Sequence, residues 1–300
     1  TYAFSISFVI RIKSIAKLYS FFSNFVTFGK PRDFDSDNKY FNTLSKLHFV
    51  YLECLICLSL FFSNILKKKT CQLENEEYGL QEICGLFTYT WMPFNIDFTP
   101  VRQLYTLGQV VGGQYIYMLA GILAWQVLET MQHLIIRIRD VKYKFEDAFQ
   151  QNDRRVRKKK LISAIKYHKA VVRLQDDLND CFGVFMFTHV IFTAAIVGTG
   201  IYCFLHRKSL SSFLVCIGWF IGLLMDCFSG QRLQDESLLI AETIYNSPWY
   251  DFEKELKQQV LFVLANSQKP MRLYAGPFGI MDRATFLAVM KATYSYITLL

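Results

Sequence analysis

Apolar residues gather along the chain into long blocks, separated by polar stretches rich in charge. A bilayer core about 30 Å thick requires roughly 20 mostly apolar helical residues. Five blocks reach that length, and a block at the start of the chain reaches it in part. The predicted spans are 47–66, 104–128, 181–205, 210–229 and 278–300, with a partial span at 1–12. The pattern predicts an all-α fold, a polytopic transmembrane helical bundle forming one domain, 1–300.

Two of the polar stretches, 129–180 and 230–275, are long enough to fold. The first contains no Pro or Gly, so we expect helical extensions of the flanking spans, a cytoplasmic anchor region that packs against itself and neighbouring subunits. Its apolar residues recur at helical spacing in two sets: Leu134, Ile138, Val141 and Phe145, then Leu161, Ile165, His168 and Val172.

The second polar stretch leads into the last span. It predicts an amphipathic helix over 235–245, a break at Pro248 and a second helix over 251–266. Further Pro and Gly residues follow, and the final membrane helix is predicted to begin at Phe278, with Arg283 and Lys291 interrupting it.

Composition and charge agree with a membrane protein and orient it. Only 19% of residues are charged, against about 25% in soluble domains. Segments 11–46, 129–180 and 230–275 carry 25 Lys and Arg residues, whereas 67–104 and 206–209 carry 6. Because cytoplasmic loops are enriched in Lys and Arg, the first set is predicted to be cytoplasmic and Leu300 extracellular. Rhodopsin-type receptors have the opposite orientation.

The basic run 154–160 lies between two spans, so contact with anionic membrane lipid is favoured over nucleic acid, and no nucleic-acid partner is predicted. Cys54 and Cys57 form a C-x-x-C inside an apolar span, where packing explains them. Cys71 and Cys84 share a predicted extracellular loop, where a disulfide is permitted but spacing alone does not decide it. The five His residues form no metal or catalytic motif, so neither a cofactor nor an enzyme is predicted.

Polar residues inside spans are costly and are therefore candidates for function. Glu53 is expected to face a partner or a wet cavity, or to extend towards the membrane surface. Gln109, Gln114, Tyr115, Tyr117 and Met118 form an aromatic, amide-bearing part of span 104–128. They fit either hydrogen bonding between helices or the wall of a pocket for a small apolar ligand.

The region from Ser229 to Leu300 resembles the C-terminal region of insect odorant receptors. The matching residues are Glu236-Ser237, Ala241-x-x-Ile244-Tyr245, Trp249-Tyr250, Gln268-Lys269-Pro270, Ala275-Gly276-x-Phe278, Phe286, Lys291-x-Thr293-Tyr294-Ser295-Tyr296 and Leu299-Leu300. Trp91-x-Pro93-Phe94 resembles the family's second extracellular loop, and His168 fits the helix before its fifth span.

The resemblance implies about seven spans with a cytoplasmic N-terminus, so this chain is expected to lack the first span and part of the second. It further implies a ligand-gated, non-selective cation channel in the plasma membrane of olfactory sensory neurons. The chain would be a tuning subunit that assembles with an odorant co-receptor subunit, as a hetero-oligomeric tetramer. A small volatile ligand would bind in the outer half of the bundle, and the candidate contacts are Gln114, Tyr115, Met118, Phe61 and Thr193.

The resemblance also assigns the last helix to a central pore. Thr285, Ala288, Val289, Ala292 and Tyr296 share one narrow face and are the candidate pore-lining residues. Packing against neighbouring helices is the competing explanation for this face.

Three other classes of membrane protein fit the sequence less well. A gustatory-receptor-type channel is disfavoured, because Leu299 stands where that family's last helix carries Gln. A G-protein-coupled chemoreceptor requires a cytoplasmic Leu300. A secondary transporter is disfavoured because no inverted repeat is evident.

Overall fold

The computed structural model describes residues 2–62, 68–79, 83–86, 93–94, 96–207 and 210–299. Those residues form α-helices and contain no β-strand, apart from one isolated bridge between Tyr274 and Ile280. The helices are α1 (Tyr2–Ser23), α2 (Phe34–Phe62), α3 (Lys68–Tyr78), α4 (Val101–Phe149), α5 (Arg154–Arg207), α6 (Leu210–Tyr245), α7 (Lys254–Ser267) and α8 (Arg283–Leu299). The predicted all-α class is confirmed.

The longest helices, α4 and α5, each continue from a predicted span into the predicted anchor region. They contain 49 and 54 residues and meet at a short turn, where the Asp153 carboxylate accepts from the amide of Arg155 (2.7 Å). The absence of Pro and Gly from 129–180 explains why neither helix breaks between these regions. A membrane part and an anchor part therefore belong to the same rigid element.

The core lies mainly in the anchor region. Leu134, Ile138, Val141 and Phe145 of α4 are buried, as their spacing predicts. On α5 the predicted stripe is wrong at its end, because Val172 is 40% exposed and Val171 is buried instead. The buried residues of this stretch are Leu161, Ala164, Tyr167, His168, Val171, Leu174 and Leu178, a repeat closer to 3.5 than to 3.6 residues, as in coiled coils.

The anchor is also tied together by buried polar contacts. Arg137, 1% exposed, donates to the carbonyl of Phe22 (2.8 Å) and so joins α4 to the end of α1. Arg139 donates to Glu236 of α6 (Nε to Oε1, 2.9 Å), and this hydrogen bond raises the pKa of the guanidinium. These contacts fix α1, α4 and α6 relative to one another.

The C-terminal region differs from its prediction at both helix boundaries. Span 210–229 and the amphipathic stretch 235–245 are one helix, α6, and the next helix, α7, begins only at Lys254. The last helix begins at Arg283 rather than Phe278, because a 3₁₀ turn at Gly276–Phe278 and the positive φ of Gly279 (94°) precede it. The Asp282 carboxylate accepts from the amide of Thr285 (2.8 Å) and caps the helix.

Among the described residues, three helices are long and apolar enough to cross a membrane, namely α4, α5 and α6. Spans 47–66 and 278–300 correspond to the end of α2 and to α8, which has 17 residues. Residues 63–66 and Leu300 lie outside the described residues, so the bounds of those two spans stay predictions.

The loop predicted to be extracellular contains α3 and a covalent link. Cys71, in α3, and Cys84 are joined by a disulfide, with their Cα atoms 5.5 Å apart. Arg102 at the start of α4 donates to the carbonyl of Cys84 (2.6 Å), which connects this loop to the bundle.

Candidate functional site

A cavity of about 400 Å³ lies where α2, α4, α5 and α6 meet. Its lining residues are His48, Tyr51, Leu52, Leu55, Ile56, Ile116, Tyr117, Ala120, Gly121, Ala124, His189, Phe192, Ile196, Val215, Gly218, Trp219 and Gly222. Most of these side chains are apolar or aromatic, and a few carry polar groups. This composition is typical of sites for small organic molecules.

Small residues determine how the helices meet around the cavity. A Cβ atom at Gly121 would lie 2.5 Å from a methyl group of Leu52, so with a larger residue there the Leu52 side chain would have to move. On α6, Gly218 lies beside the Tyr51 hydroxyl, and Gly222 faces His189 at ordinary contact distance. The missing side chains at these positions leave room inside the bundle.

Two histidines line the cavity and differ in their contacts. His48 of α2 stacks on Trp125 (ring centroids 4.9 Å apart), and its Nε2 lies 3.2 Å from the carbonyl of Gly121. Both contacts join α2 to α4, so the His48 ring serves the packing of these two helices. His189 of α5 instead stacks on Phe185 (5.8 Å) and places its Nδ1 3.4 Å from a carboxylate oxygen of Asp226 on α6.

The candidate ligand residues lie elsewhere in the bundle. Gln114 donates to both carboxylate oxygens of Glu53 (2.9 and 3.0 Å), which identifies the partner that Glu53 required. Tyr115 is 62% exposed, and Met118 is partly buried outside the cavity lining.

Phe61 is 58% exposed near the end of α2, and Thr193 is buried next to the lining residue Phe192. None of the five candidates lines the cavity, and their role in ligand binding stays a prediction. The lining residues of α4 lie farther along the helix, at 116–124. A histidine or glycine inside an apolar span was the sequence signal that could have identified them.

The candidate pore face of α8 is divided by the packing of that helix. Ala288 and Ala292 are exposed, whereas Thr285 is partly buried and Val289 packs against the core. Tyr296 is 44% exposed and contacts α5, since a Cβ at Gly198 would lie 2.9 Å from its ring. The exposed residues of α8 are Arg283, Ala284, Leu287, Ala288, Lys291, Ala292, Tyr294, Ser295, Tyr296 and Thr298.

Two of the helices that line the cavity, α5 and α6, also contact α8. The rings of Phe220 on α6 and Phe286 on α8 meet edge to face, with centroids 5.5 Å apart. Ile196, a lining residue, lies two positions before Gly198, which contacts Tyr296. A molecule in the cavity would therefore press on the same parts of α5 and α6 that support α8.

Comparison with known proteins identifies the family. The sequence model of the 7tm odorant receptor family matches residues 30–294. Odorant receptor Or2 of Anopheles gambiae is 28% identical over 149 residues, and odorant receptor 85f of Drosophila melanogaster is 30% identical over 136 residues. These matches cover 47% and 43% of this chain but only 38% and 34% of the relatives' length. The odorant receptor coreceptor of Aedes aegypti is 29% identical over 147 residues, or 46% of this chain and 31% of its own.

Solved structures show the same fold. The insect olfactory receptor OR5 from Machilis hrabei, in complex with eugenol, superposes with a TM-score of 0.76 at 14% identity and covers 99% of this chain and 76% of its own. A structure of the same receptor described without eugenol gives a TM-score of 0.71. The sequence match extends over most of the chain, and the family consists of receptors rather than enzymes. The chain is a multi-pass membrane protein and belongs to the insect odorant receptor family.

Proposed function

We propose that this chain is the tuning subunit of an odorant-gated, non-selective cation channel. A small volatile molecule would bind in the cavity between α2, α4, α5 and α6, and binding would open a pore lined by α8. The observation that carries the proposal is the cavity itself, an apolar and aromatic space of about 400 Å³ inside a bundle of the odorant receptor fold. That OR5 of Machilis hrabei was solved with eugenol supports a small organic ligand.

The route from cavity to pore would run through α5 and α6. Ile196 lines the cavity and lies close along α5 to Gly198, where Tyr296 of α8 packs. Because packed interfaces switch between discrete arrangements, a ligand that shifts α5 by a fraction of an ångström can favour another position of α8. The ligand must bind the open arrangement more tightly for this to open the pore.

The pore face would be the exposed side of α8, with Ala288, Lys291 and Ala292 at its centre. The opposite side of α8 packs on α5 and α6 through Phe286 and Thr293. Small side chains on an unpaired face allow several α8 helices to meet around a common axis, and apolar constrictions there can close a pore by dewetting.

Assembly with a co-receptor subunit, as a tetramer, completes the proposal. The similarity to the odorant receptor coreceptor of Aedes aegypti supports a common architecture for two kinds of subunit. The charge asymmetry supports an extracellular Leu300, and membership of the odorant receptor family supports the plasma membrane of an olfactory sensory neuron. An epitope tag after Leu300 should bind antibody on intact cells, and staining only after permeabilisation would contradict this orientation.

The test of the whole proposal is an odorant-evoked current. The full-length receptor is expressed with a co-receptor, and cation currents are recorded across a broad odorant panel. In a receptor that responds, Ala120→Phe should fill part of the cavity and raise the half-maximal concentration by about five- to 150-fold, since overpacking costs about 1–3 kcal/mol.

Val111→Phe is the matched control, because Val111 is exposed on the same helix outside the cavity. It should leave the half-maximal concentration within about threefold of wild type, a difference of under 1 kcal/mol. Absence of current despite surface expression would contradict the channel proposal, and equal effects of both variants would contradict the location of the site.

A further inference from the structure

A histidine and an aspartate meet inside the bundle where α5 packs on α6. His189 Nδ1 and Asp226 Oδ2 are 3.4 Å apart, and the two side chains are 4% and 2% exposed. Among the described residues neither atom has a well-formed hydrogen bond, and nor does the buried hydroxyl of Thr193, one turn along α5. Polar groups in so apolar a place are costly, which calls for a functional explanation.

The cost of burying a net charge limits the protonation states that His189 and Asp226 can adopt together. An ionised Asp226 beside a neutral His189 would leave a net negative charge in the bundle interior, and so would be disfavoured. Of the three electroneutral forms, the one in which a neutral Nδ1–H donates to the carbonyl oxygen of the acid is disfavoured, because it pairs a weaker donor with a weaker acceptor. Two electroneutral forms remain. In one, an imidazolium donates from Nδ1 to a carboxylate; in the other, the carboxylic acid donates to Nδ1 of a neutral imidazole. In both forms Nε2 carries a hydrogen, so it is a hydrogen-bond donor.

The geometry directs this donor towards the cavity. Nδ1 faces Asp226, so Nε2 is on the far side of the ring, where a Cβ at Gly222 would lie 3.8 Å away. His189 and Gly222 both line the cavity. The ring is held by Phe185, whose plane lies within 14° of it, and by Trp219, whose centroid is 5.4 Å away. Glycine at 222 leaves the approach to Nε2 open.

We infer that the Nε2–H of His189 is the specificity-determining donor of the ligand site, and that it selects apolar volatile molecules with one carbonyl acceptor, such as ketones, aldehydes and esters. This inference rests on the proposed function. The carbonyl oxygen accepts the hydrogen bond, and the hydrocarbon part occupies the aromatic remainder of the cavity. This hydrogen bond does not select ligands by size. Among ligands of equal size, those with a carbonyl acceptor bind more tightly than those without one.

The experiment compares straight-chain 2-ketones with alkanes of equal carbon number. The full-length receptor and its co-receptor are expressed together, and half-maximal concentrations are measured for both series. The wild type should prefer each ketone about tenfold, the value of one buried hydrogen bond. The double variant His189→Phe with Asp226→Leu should respond to the alkane much as before, while the ratio falls to about one.

Both residues are replaced because a single substitution would leave either His189 or Asp226 buried without its partner, whereas an apolar pair of similar volume is often tolerated. Surface biotinylation checks that it reaches the membrane. Ile196→Ala is the matched control, because it enlarges the cavity without changing its polar groups. It should raise the half-maximal concentrations of ketone and alkane together and leave their ratio unchanged.

Two results would overturn the inference alone: a wild type without ketone preference, or a preference that survives in the double variant. Either would leave an odorant-gated receptor in place. A wild type at the surface that responds to neither series nor to a broad odorant panel would overturn the proposed function as well.

Discussion

At the scale of single residues, one buried histidine of the core has a defined hydrogen-bond partner. In the anchor region, His168 Nε2 lies 3.2 Å from the hydroxyl of Ser267. That hydroxyl donates to the carbonyl of Val263 (2.9 Å), so it accepts a hydrogen from Nε2 of the neutral ring. Burial lowers the pKa of His168 to about 4. Folding therefore excludes the proton that the unfolded chain would bind.

This difference predicts a pH-dependent stability. The unfolded pKa is about 6.5, so above that pH His168 is neutral in both states and costs nothing. As pH falls from about 6.5 towards 4, only the unfolded state gains the proton, and up to about 3 kcal/mol of stability is lost. Thermal unfolding of the detergent-solubilised receptor should show this loss, and the non-titrating variant His168→Gln should lose less over the same pH range. Parallel curves for the two proteins would contradict the assignment.

At the scale of elements, α6 is the helix on which the segment before α8 packs. Gly230 of α6 lies directly against the backbone preceding α8, where the amide of Met281 donates to the carbonyl of Leu273 (2.8 Å). A Cβ at Gly230 would approach the Met281 carbonyl oxygen to 2.1 Å. Backbone cannot yield as a flexible side chain can, so this contact requires glycine and determines where α8 begins.

Gly230→Ala is therefore expected to destabilise the receptor by about 1–3 kcal/mol, despite the better helix propensity of alanine. Gly222→Ala is the matched control on the same helix, because its Cβ would meet nothing closer than 3.8 Å. We expect unchanged or slightly higher thermal stability for this control. The melting temperatures of both variants are measured by fluorescence size-exclusion chromatography after heating. Equal shifts in the two variants would show that the contact between Gly230 and the Met281 backbone does not require glycine.

Sequence patterns predicted which segments are helical better than they predicted where helices end or meet. The continuation of α4 and α5 from their spans into 129–180 followed from the lack of Pro and Gly there. The start of α8 did not follow, because it depends on the Asp282 cap and on the contact at Gly230. The cavity could not be predicted from the sequence either, because its lining depends on which faces of four helices meet. The contact between Gly121 and Leu52, distant in sequence, sets one of those faces.

At the scale of the whole molecule, α8 has one packed side and one unpaired side. Thr293 is 4% exposed and faces α5, where its methyl group lies near Gly198. Ala292, its neighbour in sequence, is exposed beside Lys291. A helix with an unpaired face of small residues is typical of a surface completed by other subunits, which agrees with the proposed central pore.

Adjacent cysteine substitutions separate the two sides of α8. Ala292→Cys should react with a charged, membrane-impermeant thiol reagent in the open channel and lose most of its odorant-evoked current, because the side chain would face the ion path. Thr293→Cys should be nearly unaffected by the reagent, because it is packed against α5. Block of both or neither would contradict the assignment of the pore face.

The continuity of α4 has a mechanical consequence. With 49 residues at 1.5 Å each, the helix is a rod about 74 Å long, and its second half is held by the contacts of Arg137 and Arg139. Such a rod acts as a lever. A tilt of about 5 degrees at Arg137 moves the far end of the helix by about 5 Å. Small changes in how the anchor is held would therefore be magnified at the walls of the cavity.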